Sequence, residues 1–261
     1  MMQARSLIPP AMLLRLVFLA TLLLLSQSAQ ADGLADLKAA LQSLPGQQPL
    51  KASISVKSQS HQNDGDEATD EISAATLGVD ESVQGLLMQI APETLARSQA
   101  EEVAKAADTK AKAPTSKGLG LLNLSAIREM TRADEALKRL INRSILKSER
   151  ADNWNNQPAR LLSFEADPSK LSKQEQKYVK SFESSLQIWI AADGTPLESR
   201  TLTKVSGRAF LVISFDNSTT SRVLYQRVGD RLVALRRESS NSGSGAGMRG
   251  DGKTEFSLQL R

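Results

Sequence analysis

Residues 186–238 read LQIWIAADGTPLESRTLTKVSGRAFLVISFDNSTTSRVLYQRVGDRLVALRRE. Short runs rich in β-branched and aromatic residues alternate with compact polar clusters at Asp193-Gly194, Ser206-Gly207, Asp216-Asn217-Ser218 and Gly229-Asp230. Such clusters tolerate positive φ and mark hairpin turns, so the stretch predicts an antiparallel β-meander. In its first strand Leu186, Ile188 and Ile190 share one face, with Gln187, Trp189 and Ala191 opposite. Around Arg208–Phe215 both faces are apolar: Ala209, Leu211, Ile213 and Phe215 on one, Phe210 and Val212 on the other. A strand of that kind is covered on both sides or lines a cavity. A last strand is expected at Thr254–Leu260, where Phe256, Leu258 and Leu260 alternate with polar residues.

The upstream sequence supplies elements to cover this sheet. Asp32–Leu44 repeats leucine at 34, 37, 41 and 44, which makes a short helix capped by Asp32 and ended by Pro45-Gly46. Leu50–Gln59 alternates as a half-buried strand, and a second strand follows around Glu71–Val79. Val83–Ile90 fits either a third strand or the start of a helix, and Ala91–Ala107 is built of good helix formers. Residues 108–118 lack periodicity and read as a flexible connection within one domain. The strongest helical pattern is Leu124–Lys147, with Ile127, Met130, Leu137, Leu140, Ile141 and Ile145 near one face and six basic residues on the rest. A basic amphipathic helix suits an anionic membrane surface, but its apolar face is better used in covering the sheet. A hairpin is expected at Trp154–Gln157, and Leu171–Ser184 reads as a helix or an extended charged connection.

The chain has 261 residues, no cysteine and one histidine, His61. Disulfides, thiolate nucleophiles and cysteine-bound metals are thereby excluded. Arg5 and Arg15, the apolar run Leu16–Leu25 and Ala29-Gln30-Ala31 form a secretory signal pattern. Cleavage after Ala31 is expected, leaving residues 32–261 as a single domain with a helical insertion at 83–150. The product would be periplasmic or secreted, with no stable membrane anchor. Losing those two arginines lowers the formal charge from +4 to +2, so no basic patch points to nucleic acid.

Candidate reactive motifs are poor. The acidic run around Asp64–Glu71 has its glycine at the second position of a calcium loop rather than the sixth, lacks the closing glutamate, and reads as a solvated hairpin turn. The glycine-rich stretch 239–252 is not followed by a helix and reads as a mobile strand connection rather than a phosphate cradle. Arg249-Gly250-Asp251 within it is an adhesion tripeptide that short glycine loops produce by chance. His61 lies on a polar turn with no serine elbow to serve. The expectation is therefore a non-enzymatic protein with no cofactor and no metal. Trp189 is expected to pack against a helix rather than stack on a ligand.

The order of elements, and the stretch LQIWIAADGTPLESRTL in particular, resembles the periplasmic lipoprotein-carrier superfamily. That group includes the outer-membrane lipoprotein carrier and receptor and related sensor-binding proteins. The resemblance implies an α+β fold, a curved antiparallel sheet forming an incomplete barrel with helices packed on its concave face. It also implies an apolar ligand, a lipid or lipoprotein acyl group, held between helices and sheet. The contacts expected for it are Ile188, Ile190, Leu211, Ile213 and Phe215 from the sheet and Leu137, Leu140 and Ile141 from the covering helix. The alternative is a structural or interaction protein of the envelope that holds a protein partner. Oligomeric state is not legible in the sequence.

Overall fold

The computed structural model describes residues 32–64, 67–170, 179–209 and 213–261. The signal-like segment, residues 171–178 of the charged connection, and residues 210–212 lie outside them. Ten strands form one antiparallel sheet that does not close into a barrel: β1 (Leu50–Asp64), β2 (Glu67–Ser82), β3 (Gly85–Gln89), β4 (Ser144–Trp154), β5 (Gln157–Ala166), β6 (Val179–Ile190), β7 (Pro196–Ala209), β8 (Ile213–Val228), β9 (Arg231–Gly245) and β10 (Met248–Leu260). Their order is β3-β2-β1-β10-β9-β8-β7-β6-β5-β4. All neighbours are also sequence neighbours except β1 and β10, which join the two halves in a 13-residue register from Ala52↔Leu260 to Asp64↔Met248. Among the described residues five α-helices, α1 (Gly33–Gln42), α2 (Pro92–Ala107), α3 (Pro114–Leu121), α4 (Leu124–Thr131) and α5 (Ala133–Asn142), complete the α+β fold.

The main core lies between the sheet and these helices. Leu37 and Leu41 of α1, Ile127 and Met130 of α4 and Leu137 and Ile141 of α5 meet Ile54, Val56, Leu77, Val79, Leu162, Phe164, Ile188, Ile190, Ala234 and Leu258. The period of two in each strand turns alternate residues toward the helices. α1 begins as its sequence requires, with Asp32 Oδ1 accepting from the Leu34 and Ala35 amides at 3.1 Å. Asp230, in the β8–β9 turn, reaches across the fold: its carboxylate accepts from the Gln47 and Gln48 amides at 2.8 and 3.1 Å and so anchors the chain entering β1.

Several expected boundaries are corrected. The single helix at Leu124–Lys147 is two helices broken at Arg132, whose φ of −134° and ψ of 58° leave the helical region. Arg132 bonds the Gly46 carbonyl at 3.1 Å and pairs with Glu81, which is itself buried beside Arg231. After Asn142 the chain turns directly into β4, so Ile145 and Lys147 belong to a strand. The insertion is helical only over 92–142, and part of the supposed flexible connection is α3, which packs on β2. Val83–Ile90 contributes β3, an edge strand.

Within the meander, Asp193-Gly194 and Gly229-Asp230 are turns, with φ of 81° and 59° at the glycines. Ser206-Gly207 and Asp216-Asn217-Ser218 are not. They lie inside the paired β7 and β8, with Ser206 opposite Asp216, in a register that runs to Ala209↔Ile213. The doubly apolar strand expected at Arg208–Phe215 does not exist as one element, because β7 ends and β8 begins within it. The glycine-rich stretch is not a free connection either. Residues 239–245 and 248–252 are paired β9 and β10, turning at Ala246-Gly247, and Arg249-Gly250-Asp251 lies in the ladder between β9 and β1. The hairpin at Trp154–Gln157 forms as expected, with Asn155 and Asn156 at φ of 48° and 63°.

Candidate ligand groove between α5 and the sheet

α5 is amphipathic, and its two edges do different work. Leu137 and Ile141 point into the core and are 0% and 5% exposed. Ala133, Ala136 and Leu140, three and four residues apart, line an open groove of about 640 Å³ on the neighbouring flank. Its floor is the helix-facing side of the sheet, where the register aligns Ser199 and Thr201 of β7 with Val223 and Ser221 of β8. Tyr225 completes the floor. Its hydroxyl and Ser199 Oγ share a 2.7 Å hydrogen bond, and burial pushes the phenol up to about 12, so it stays neutral at physiological pH. Arg237 of β9, tied to Glu129 of α4, closes one wall. Arg139 and Arg143 stand on α5 and just beyond its end, where they also line the groove. The volume lies within the range of small-molecule sites.

The expected contact residues divide clearly. Ile188, Ile190, Leu137 and Ile141 meet in the core, but as closed packing at 5% exposure or less. Among the described residues of this set only Leu140, 38% exposed, reaches the groove. Phe215 is half-buried near the start of β8, ten residues from Tyr225. At strand rise that is roughly 33 Å of chain. Leu211 and the side chain of Ile213 lie outside the described residues. The groove residues that were missed have a faint signal: Ser221, Val223 and Tyr225 alternate on one face, and Arg139 and Arg143 flank Leu140 on α5.

A second opening, of about 660 Å³, lies on the opposite face near the far ends of the strands. Six neighbouring strands from β6 round to β1 line it, chiefly with serine, asparagine and charged side chains such as Lys204, Asp216, Arg249 and Asp251. His61 is held there by Asp70 at 2.8 Å, which raises its pKa. Closer to the hairpin at Asn155-Asn156, the same face carries a small cluster of Ala159, Leu161 and Trp189 under Trp154. Trp189 therefore packs away from the helices, contrary to expectation. Its indole donates to Asp152 at 3.2 Å, and the Arg200 guanidinium stacks 4.8 Å from its ring. Among the described residues no group of carboxylates and histidines is placed to hold a metal, and no helix is long and apolar enough to cross a membrane. Comparison with protein-family models, with curated proteins and with solved structures gives no match to this chain.

Proposed function

We propose that this is a non-enzymatic binding protein of the bacterial envelope, exported by its N-terminal signal, that carries an apolar or amphiphilic ligand between α5 and the sheet. The observation that carries the reading is the groove itself. It opens directly beside the core, and its helix side is alanine and leucine. Its floor offers Val223 and the Tyr225 ring with a few hydroxyls to orient a guest. Apolar walls with few polar groups are the common design of small-molecule sites. The lipoprotein-carrier resemblance agrees with this placement, since carriers of that kind use the space between helices and a curved sheet.

Native mass spectrometry of protein purified from its own envelope tests the reading. The expected result is a retained adduct of lipid mass that is lost in a Val223→Trp variant, whose side chain fills the groove. A clean apo mass from freshly prepared envelope would count against it.

A second reading, an interaction protein that holds an envelope partner, is supported by the edge at β3. Leu87, Met88 and Ile90 there are 56%, 46% and 41% exposed, and α2 beside them buries no residue. An apolar edge strand with free backbone groups is a ready surface for an added strand. Co-purification of a protein, with no lipid adduct, would favour this reading over the first.

A further inference from the structure

We propose that the ligand of the α5 groove is an anionic amphiphile, with its apolar chain against Leu140 and Val223 and its charged head held by Arg139 and Arg143. The inference rests on the groove reading above and adds the charge of the guest. Along this segment Arg132 pairs with Glu81, Lys138 with Asp134 and Lys147 with Glu165, while Arg128 is exposed on α4 and does not line the groove. Arg237, the remaining cation in the lining, is tied to Glu129. On the opposite face Arg200, Arg222 and Arg236 are likewise paired, with Glu198, Glu238 and Glu255. Arg139 and Arg143 differ. Both are exposed, both line the groove, and among the described residues neither pairs with a carboxylate. Glu135, one turn before Arg139, lies 3.7 Å from Arg132 instead.

Like charges four residues apart on a helix repel one another. An anion seated between two such guanidiniums removes that repulsion and gains charge-assisted hydrogen bonds from both. A neutral apolar guest would leave the pair facing each other over its end. The helix C-terminus offers a competing reason for the two arginines, since cations are favoured beside its free carbonyls. The two explanations differ in whether the arginines matter to a ligand.

Dodecyl phosphate and dodecyl maltoside, both below their micelle concentrations, separate the cases by isothermal titration of the purified protein. They share a chain and differ in head charge. Dodecyl phosphate is expected to bind about tenfold tighter or more. The Arg139→Gln/Arg143→Gln variant, changed only at exposed positions, should lose that preference and keep its affinity for dodecyl maltoside. Equal affinities in the unaltered protein, or a preference that survives the double substitution, overturn the head-group assignment and leave the groove standing. Binding of neither probe overturns the groove reading and the assignment with it. Dodecyl phosphate binding that survives Val223→Trp places the anion elsewhere and overturns the assignment as well.

Discussion

Glu198 shows how one side chain organises the face that the helices leave bare. It is 1% exposed although no helix covers it. One indole and two guanidiniums do the covering: Trp154 donates to its Oε2 at 2.9 Å, Arg222 donates to both oxygens at 2.9 Å, and Arg200 donates to Oε1 at 2.6 Å. Burial alone would raise its pKa. The hydrogen bonds from Arg222, Trp154 and Arg200 outweigh burial and bring it down to about 2 from 4.5. The sign follows from linkage. A carboxylate whose folded pKa is depressed contributes stability that is complete above about pH 4.5 and is lost as pH falls toward 2. Glu198→Gln should therefore cost about 1–3 kcal/mol at pH 7 in urea denaturation, the price of weakening three donors' shared acceptor. The gap between variant and unaltered protein should narrow as pH falls toward 2. A gap independent of pH would show that the charge is not what holds the cluster.

At the scale of elements, α3 illustrates a contact that only glycine permits. A Cβ on Gly118 would lie 2.5 Å from the Ala74 carbonyl carbon and 2.8 Å from its oxygen, so α3 rests on the backbone of β2. In an isolated helix Gly→Ala gains about 1 kcal/mol. Here the clash is with backbone, which cannot rotate away, and overpacking of that kind costs about 1–3 kcal/mol. Gly118→Ala is expected to be net destabilising by thermal melting, and a raised midpoint would show that α3 is free to lift off. The break between α4 and α5 has a similar origin. The apolar pattern of Leu124–Lys147 continues without a proline or glycine to stop it, so periodicity alone reads one helix. What divides it is the pull of Glu81 and the Gly46 carbonyl on Arg132, from parts of the chain fifty-one and eighty-six residues away.

At the scale of the whole molecule, strand length and helix length do not match. β8 has 16 residues and α5 has 10. At standard rises these are roughly 53 Å and 15 Å, so the helices cover only one end of the sheet. Beyond them the strands run on with largely polar faces, broken by apolar residues such as Phe182, Val205 and Phe215. On the helix side Thr203, Thr219 and Asn241 align across β7, β8 and β9, and on the other side Lys204, Ser218 and Ser242 do so. Hydrogen exchange should divide single strands accordingly. Amides at 50–56 and 231–235, under the helices, are expected to be protected to near the global limit, and those at 58–63 and 240–244 to exchange faster by local opening. Equal protection along β1 and β9 would mean that the wing shares the cooperativity of the core.

Local pattern determined a good deal of this protein by itself. The period-two alternation of Leu50–Val56 and Leu186–Ile190, the Asp-cap before Leu34, and the turns at Asn155-Asn156, Asp193-Gly194 and Gly229-Asp230 each depend on a few adjacent residues. Each stands where it was read. Ile188, Ile190, Leu137 and Ile141, expected as ligand contacts, lie in one core cluster, because apolar faces of a helix and a sheet must meet. Tertiary structure decided the rest. Ser206-Gly207 and Asp216-Asn217-Ser218 have turn residues but lie in strands, because β7 and β8 supply each other's ladder partners, with Ser206 opposite Asp216 and Gly207 opposite Phe215. The glycines of 243–252 read as a loop until β1 and β8 are laid on either side of β9 and β10. The groove belongs to this second class. Whether a hydrophobic residue closes a core or lines an opening depends on which neighbour stops short of it, and Leu140 and Val223 are left partly open where Leu137 and Ile141 are closed. Periodicity shows the face a side chain points from, and only the assembled sheet and helices show how much of that face is left uncovered.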